Sequence, residues 1–201
     1  MKIVLIGAPG SGKGTLAAGL ERRFGLKHLS FGQIVRGVAK TNPRVKALID
    51  GGNMIDDALA KEILTGRINQ PDCQKGFILD GFPRSIAQAK MLKEIMEIDF
   101  AIYLKISESE IFRRLGSRLS CPNCNAVYSK QNYNKDVCQT CGAKLEVRAD
   151  DTTETIKKRI EIFNANVKDL LNFYKNQLLE IDAEGTPEAV VQAASNLIMK
   201  E

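Results

Sequence analysis

The stretch Lys2-Ile3-Val4-Leu5-Ile6-Gly7-Ala8-Pro9-Gly10-Ser11-Gly12-Lys13-Gly14-Thr15 decides the fold. An apolar run ends in glycine, as a buried strand does when it enters a turn. A helical pattern follows from Lys13 to about Phe24. Strand, glycine-rich turn and helix, in that order, are the setting in which a turn binds phosphate. Glycines at 7, 10 and 12 permit positive φ and bring backbone N–H groups up to phosphate oxygens. The helix that follows directs its positive end to the same place. Lys13 supplies a full charge for the β- and γ-phosphates, and the Thr15 hydroxyl is the candidate magnesium ligand. The common pattern places Ser or Thr directly after the lysine, whereas Gly14 intervenes here.

Outward from this turn, strands alternate with helices. Apolar runs at 77–79, 100–106 and 178–182 read as strands, and residues 27–30 as a short one. Helical patterns cover about 33–50 with a break near Thr41-Asn42-Pro43, then 56–69, 85–96, 153–176 and 187–199. Asp56 and Asp57 cap the second of these, and Gly51-Gly52-Asn53 precedes it. Ser107 caps a further helix that carries Glu110, Arg114 and Arg118, with the two arginines four apart and so on one face. This alternation predicts a parallel sheet covered by helices on both faces. Asp80 ends a buried strand at the carboxyl edge, where such folds bind ligands, and reads as the acid that orients hydrated magnesium. Residues 119–149 lose the helical periodicity and read as an inserted subdomain.

The rest of the chain narrows the class of function. Its 201 residues are 44% hydrophobic and 26% charged, the balance of a globular protein of one or two domains. No apolar run approaches the roughly twenty residues of a membrane span, and the N-terminal run is too short for a signal peptide. A cytoplasmic protein is expected. The net charge of +5 comes without a dense basic stripe, and there is no tryptophan, which speaks against a nucleic-acid surface.

Four of the five cysteines form two Cys-x2-Cys pairs, Cys121/Cys124 and Cys138/Cys141, thirteen residues apart. Such spacing closes a tetrahedron of thiolates around Zn2+, and Gly142 and Asn125 free the turns after each pair. An iron–sulfur cluster suits the same ligand type. With four ligands the metal is structural, a staple for a segment too small to hold a core. Cys73 stands apart and reads as packing. His28, the sole histidine, reads as structural.

The form Gly-x-Pro-Gly-x-Gly-Lys-Gly-Thr resembles the phosphate loop of adenylate kinases and their nucleoside monophosphate kinase relatives. Asp80-Gly81-Phe82-Pro83-Arg84 resembles a specific motif of that family, and Leu29 to Arg36 its acceptor segment. Arg148-Ala149-Asp150-Asp151, followed by Glu154 and Arg159, resembles the end of its lid. Some bacterial members carry a metal-bound lid at this place.

The resemblance implies an α/β, P-loop NTPase-like parallel sheet with a small monophosphate-binding helical insertion and a zinc-ribbon-like lid. The core would be 1–29, 57–118 and 150–201, the monophosphate-binding segment 30–56, and the lid 119–149. The implied reaction is reversible transfer from ATP, with Mg2+, to AMP, giving two ADP. ATP would be held by Gly10, Ser11, Gly12, Lys13, Gly14, Thr15, Arg114 and Arg118. AMP would meet Phe31, Arg36, Ile55, Gly81, Arg84, Gln88, Arg148 and Arg159, with Gln88 reading the base. Lys13, Arg84, Arg118, Arg148 and Arg159 would serve transfer itself, and the Phe82–Pro83 peptide would be cis. No nucleic acid, membrane or obligatory protein partner is implied.

Three residues depart from the family pattern. Phe31 stands for the usual Thr and either stacks near the base or fills core space. Gln33 replaces an aspartate, so it can accept a hydrogen bond from a magnesium water but adds no charge. Asn53 stands where some members have lysine. These leave open a kinase for UMP or CMP. A more distant reading is a nucleic-acid-binding zinc-ribbon protein with a nucleotide switch.

Overall fold

A computed structural model describes all residues except Gly52, Met54, Asn125, Ala149, Asp150 and Glu201. The turn expected at Asn125 and the Ala149-Asp150 pair therefore lie outside the described residues.

The first strand, β1 (Lys2–Gly7), runs down the middle of a five-stranded parallel sheet. It is followed by α1 (Lys13–Phe24), β2 (Lys27–Ser30), α2 (Phe31–Ala39), α3 (Pro43–Asp50) and α4 (Asp57–Ile68). Then come β3 (Phe77–Asp80), α5 (Ile86–Ile95), β4 (Phe100–Lys105) and α6 (Glu108–Gly116). A short hairpin, β5 (Arg118–Ser120) and β6 (Val127–Ser129), precedes α7 (Thr153–Phe173), β7 (Leu178–Asp182) and α8 (Pro187–Ile198). The sheet order is β2-β3-β1-β4-β7. Its register sets Leu5 beside Asp80 and beside Ile102, so the carboxyl ends of β1, β3 and β4 rise together.

Alternation along β1 builds two cores. Ile3 and Leu5 face one side with Leu16 and Leu20 of α1 and Val190 and Ile198 of α8. Val4 and Ile6 face the other, against Val35, Leu64, Leu92 and Leu170 from α2, α4, α5 and α7. A sheet covered on both faces reads as near-continuous apolar strands, which is why 77–79 and 100–106 stand out in the sequence.

Helix starts follow the side chains that can satisfy orphan N–H groups. Asn42 accepts from the Val45 N–H with Pro43 in the first turn, and Asp56 accepts from the Leu59 N–H. Ser85, Thr152 and Thr186 do the same for α5, α7 and α8. Two expectations need correction. Ser107 stands at the start of α6, but its hydroxyl meets that of Ser109 instead of a backbone N–H. Arg118 is not on α6 with Arg114. The helix ends at Gly116, and the Ser117 hydroxyl bonds back to the carbonyls of Arg113 and Arg114. Arg118 then enters β5, opposite Ser129 of β6. No described helix is long and apolar enough to cross a membrane.

Candidate active site

The turn after β1 wraps the N-terminus of α1. Gly10 and Gly12 have φ of 80° and 94°, where a side chain is strained. A Cβ on Gly10 would also sit 2.8 Å from Leu115, so the turn packs directly on α6. The Lys13 ammonium donates to the carbonyls of Gly7 and Ala8 at 2.7 and 2.8 Å. Burial of that head group lowers Lys13 from the usual 10.5 to about 8; Asp80 opposes the shift, and the charges of Arg84, Arg159 and Arg118 add to it. Four groups that the sequence ascribes to the site thus act on one ammonium.

Asp80, at the end of β3, feels burial that would raise its carboxyl. His28, Lys13 and Arg84 outweigh that and hold it below the ordinary carboxylate range. His28 Nε2 lies 3.5 Å from Asp80 Oδ2, a close pair short of a formed hydrogen bond. His28, expected to be structural, lies against the site through this contact. Asp80 Oδ2 lies 3.5 Å from where a Cβ on Gly14 would stand, which brings the carboxylate to the first turn of α1. Thr15 is exposed on that turn. A carboxylate and a hydroxyl beside a phosphate turn are hard oxygen donors that fit hydrated Mg2+.

Arg114 donates to the carbonyls of Ser11 (3.4 Å) and Ala183 (2.8 Å), and its Nε to Glu110 at 2.6 Å. The guanidinium is therefore fixed against the phosphate turn. Arg118 makes a two-pronged pair with Asp151, its Nε donating to Oδ2 at 2.7 Å. Arg159 on α7 reaches the same carboxylate at 3.5 Å. The Asp151 side chain is 0% exposed. This buried carboxylate joining two site arginines was missed as a functional residue. Its signal was an acid lying among arginines of one motif.

A cleft opens beside the carboxyl end of β3. Phe31, Arg36, Ile55, Arg84, Gln88 and Arg159 line it, and so does Asn53. Of the expected acceptor residues, Gly81 and Arg148 are not in its wall. Gly81 adjoins it through its carbonyl, which accepts from Arg84 Nε at 2.8 Å, and Arg148 stands where the chain returns from the inserted segment. The Gly32, Val35 and Ile49 walls were missed, since nothing in their types marks a ligand site. Phe31 fills core space, 5% exposed and packed on Phe82 with ring centroids 4.9 Å apart, and it also lines the cleft. The Phe82–Pro83 peptide is cis.

In the inserted segment the four sulfurs of Cys121, Cys124, Cys138 and Cys141 all lie within 4.8 Å of one another. A tetrahedron with Zn–S near 2.3 Å needs sulfurs about 3.8 Å apart. The group therefore fits one mononuclear ion, and the soft all-sulfur set suits zinc better than magnesium. A multi-iron cluster would hold its thiolates farther apart. Antiparallel bridges Ser120–Glu146 and Val137–Lys144 frame the two pairs. The Tyr128 hydroxyl accepts from the Gln139 N–H at 3.0 Å, which leaves its proton for the Cys138 sulfur 3.3 Å away. That hydrogen bond, against the effect of burial, holds Cys138 down to about 6. Cys73 is buried and packs beside Arg67, as expected.

The sequence matches known proteins over nearly its whole length. A family model described as adenylate kinase matches residues 5–179. An adenylate kinase of Caldicellulosiruptor saccharolyticus is 37% identical over 200 positions, covering 94% of this chain and 93% of the relative. That of Pseudothermotoga lettingae is 36% identical over 214 positions, covering 100% and 99%. That of Archaeoglobus fulgidus is 36% identical, covering 94% and 92%. The phosphate turn, the arginine-lined cleft and the cysteine segment sit within that match, and the chain belongs to the adenylate kinase family.

Proposed function

We propose that this chain catalyses the reversible reaction ATP + AMP = 2 ADP with Mg2+, by in-line transfer between two nucleotides held at one sheet edge. The observation that carries the reading is convergence. Lys13 at the start of α1 is within the fields of Asp80, Arg84, Arg159 and Arg118, and two of those arginines line the neighbouring cleft. Phosphoryl transfer asks the protein for positioning and charge neutralisation, with no general base for an acceptor that is already an anionic oxygen.

ATP lies along Gly10 to Thr15, with its β- and γ-phosphates drawing Lys13 off the loop carbonyls. Arg114 and Arg118 flank the donor. Asp80, through water, and Thr15 would hold magnesium, which would supply charge neutralisation for the phosphates. AMP enters the cleft of Phe31, Ile55 and Gln88, its phosphate met by Arg36 and Arg84. Gly81 supports Arg84, while Arg148 and Arg159 complete the cation ring around the transferred group. Planar guanidinium forks suit this task because they stay charged and bind phosphate through two N–H groups. Residues 30–56 act as the acceptor segment and 119–149 as a lid that excludes water during transfer. The remaining stretches, 1–29, 57–118 and 150–201, form the core. The tetrathiolate site holds a structural Zn2+. The protein works in the cytoplasm, and AMP and ATP are its partners.

The test is ADP formation from ATP with AMP, CMP, UMP and GMP in parallel. AMP is the expected acceptor; turnover of UMP or CMP alone would replace AMP in this reading. Metal analysis of protein purified without chelator should find one zinc per chain, and Cys124→Ser should lose it and destabilise 119–149 before the sheet.

A further inference from the structure

The remaining question is how the cleft selects its base, and the answer below rests on the adenylate kinase reading. Gln88 is 3% exposed and lines the cleft. The Arg84 backbone N–H donates to its Oε1 at 2.8 Å, and its Nε2 donates to Asp57 Oδ1 at 3.0 Å. A backbone N–H can only donate, and a carboxylate can only accept. Turning the amide over would set NH2 against N–H and C=O against carboxylate, leaving buried groups opposed and unpaired.

We propose that Asp57 is a specificity-determining positioning residue: it fixes the Gln88 amide in one orientation and so sets which base edge the acceptor cleft accepts. With both contacts made, Gln88 has one lone pair on Oε1 and one N–H on Nε2 to offer. That pair matches a ring-nitrogen acceptor beside an exocyclic amino group. Adenine presents this edge at N1 and N6, and cytosine at N3 and N4. Hypoxanthine, guanine and uracil present the reverse, a ring N–H beside a carbonyl. The lock therefore rejects 6-oxopurines and uracil, and leaves adenine and cytosine to be separated by size. Asp57 is in the first turn of α4 and Gln88 in the first turn of α5, so the two helices set the amide between them. Asp57 is not in the cleft wall and acts only through Gln88.

AMP and IMP are the probes, because they share size, sugar and phosphate and differ only in the edge at N1 and C6. The ratio of their kcat/KM values is measured for the wild type, Asp57→Asn and Asp57→Ser. Asn and Ser can each either donate or accept, so only the Arg84 N–H still opposes the second orientation and the lock is weakened by one of its two contacts. The AMP preference should fall about tenfold, the scale of one hydrogen bond to a charged group, and the change should lie in KM for the monophosphate with KM for ATP unmoved. Ser also suits the start of a helix, which keeps a folded variant in hand. A merely structural role would lower AMP and IMP turnover alike and keep their ratio; that result in both variants overturns the lock. A wild type that transfers to no monophosphate overturns the kinase reading and the lock together, whereas AMP turnover with an unmoved ratio overturns the lock alone.

Discussion

The sheet edge and the four-cysteine segment are held together by opposite means. Under the phosphate turn, Ile3, Leu5, Leu16, Leu20, Ile78 and Ile102 are all at most 2% exposed. Each such side chain contributes roughly 1.5–3 kcal/mol by leaving water. In 119–149 the buried cluster is Cys121, Cys138 and Leu145, and two of these three are metal-ligand candidates. Val127, Val137 and Val147 of this segment remain 54%, 42% and 54% exposed. A segment that leaves these valines exposed has little apolar burial of its own, and its four sulfurs and a few hydrogen bonds are what gather it. On the proposed reading the reaction uses both, a rigid edge to aim phosphates and a cover that opens to admit two large anions.

The contrast breaks most sharply at Lys13. Lys13→Ala removes the charge at the phosphate turn and nothing from either core, so kcat should fall by about 10³-fold, on the scale of a lost transition-state donor. Circular dichroism and thermal melting should show the sheet unchanged. Near-normal turnover would take the phosphate turn out of the mechanism.

Arg118 tests the junction between the two regions. It is 14% exposed, stands at the first position of the hairpin, and shares the buried Asp151 with Arg159 of the core. In Arg118→Ala, Asp151 keeps only its 3.5 Å partner among the contacts described above. The expected loss is roughly 10²-fold in kcat, since the proposed function makes Arg118 a charge clamp on the transferring phosphoryl. AMP binding measured without ATP should barely change. A bisubstrate analogue with two adenosines joined by five phosphates should compact the wild type in scattering and do so less in the variant. Equal compaction would detach Arg118 from closure.

Tyr128 sharpens the lid side alone. Its hydroxyl points a proton at Cys138 while the Gln139 N–H fixes it from behind. Such an outer partner is worth about 10–100-fold in metal affinity. Tyr128→Phe should show that loss in competition with a chromophoric chelator, with kcat close to wild type at saturating zinc. Unchanged affinity would mean that the four thiolates alone set the site.

Much of this was readable in the sequence because the signals are local. Gly7 to Thr15 sits between a strand and a helix, and two Cys-x2-Cys pairs announce a tetrahedron, so neither needs tertiary information. Arg118 shows where local reasoning stops. Its spacing from Arg114 suited a helix, but Gly116 is a weak helix residue and Ser117 satisfies the last carbonyls, so the chain turns out two residues early. Asp151 was legible only as an acid among arginines, and Asp57 was not legible as a site residue at all. Their partners are 33 and 31 residues away, and only packing of α7 and of α4 against α5 brings them into reach. Gln88 was found by resemblance, but the orientation of its amide is a property of three elements together.

The smallest expected effect is a fraction of a proton. Burial, assisted by Arg84, Arg159 and Arg118 against Asp80, brings Lys13 down to about 8. At pH 8 the free protein therefore carries this ammonium in about half of its molecules. Nucleotide phosphates, already ionised at that pH, favour the charged form and draw the pKa back up. Nucleotide binding at pH 8 should then take up about half a proton. Calorimetry in two buffers of different ionisation enthalpy reads this directly, and Lys13→Arg, charged throughout, should abolish it. The same shift fixes a sign for stability. The folded value lies below the usual 10.5, so the unfolded chain holds more protons between about pH 8 and 10.5, and Lys13 makes the free protein more stable as pH rises through that window. With nucleotide bound the rise should vanish, because the phosphates keep the ammonium charged in the folded state. No buffer dependence at pH 8 would show that Lys13 is already fully charged in the open site, and that the cations around it are too well screened by water to act on it before the lid closes.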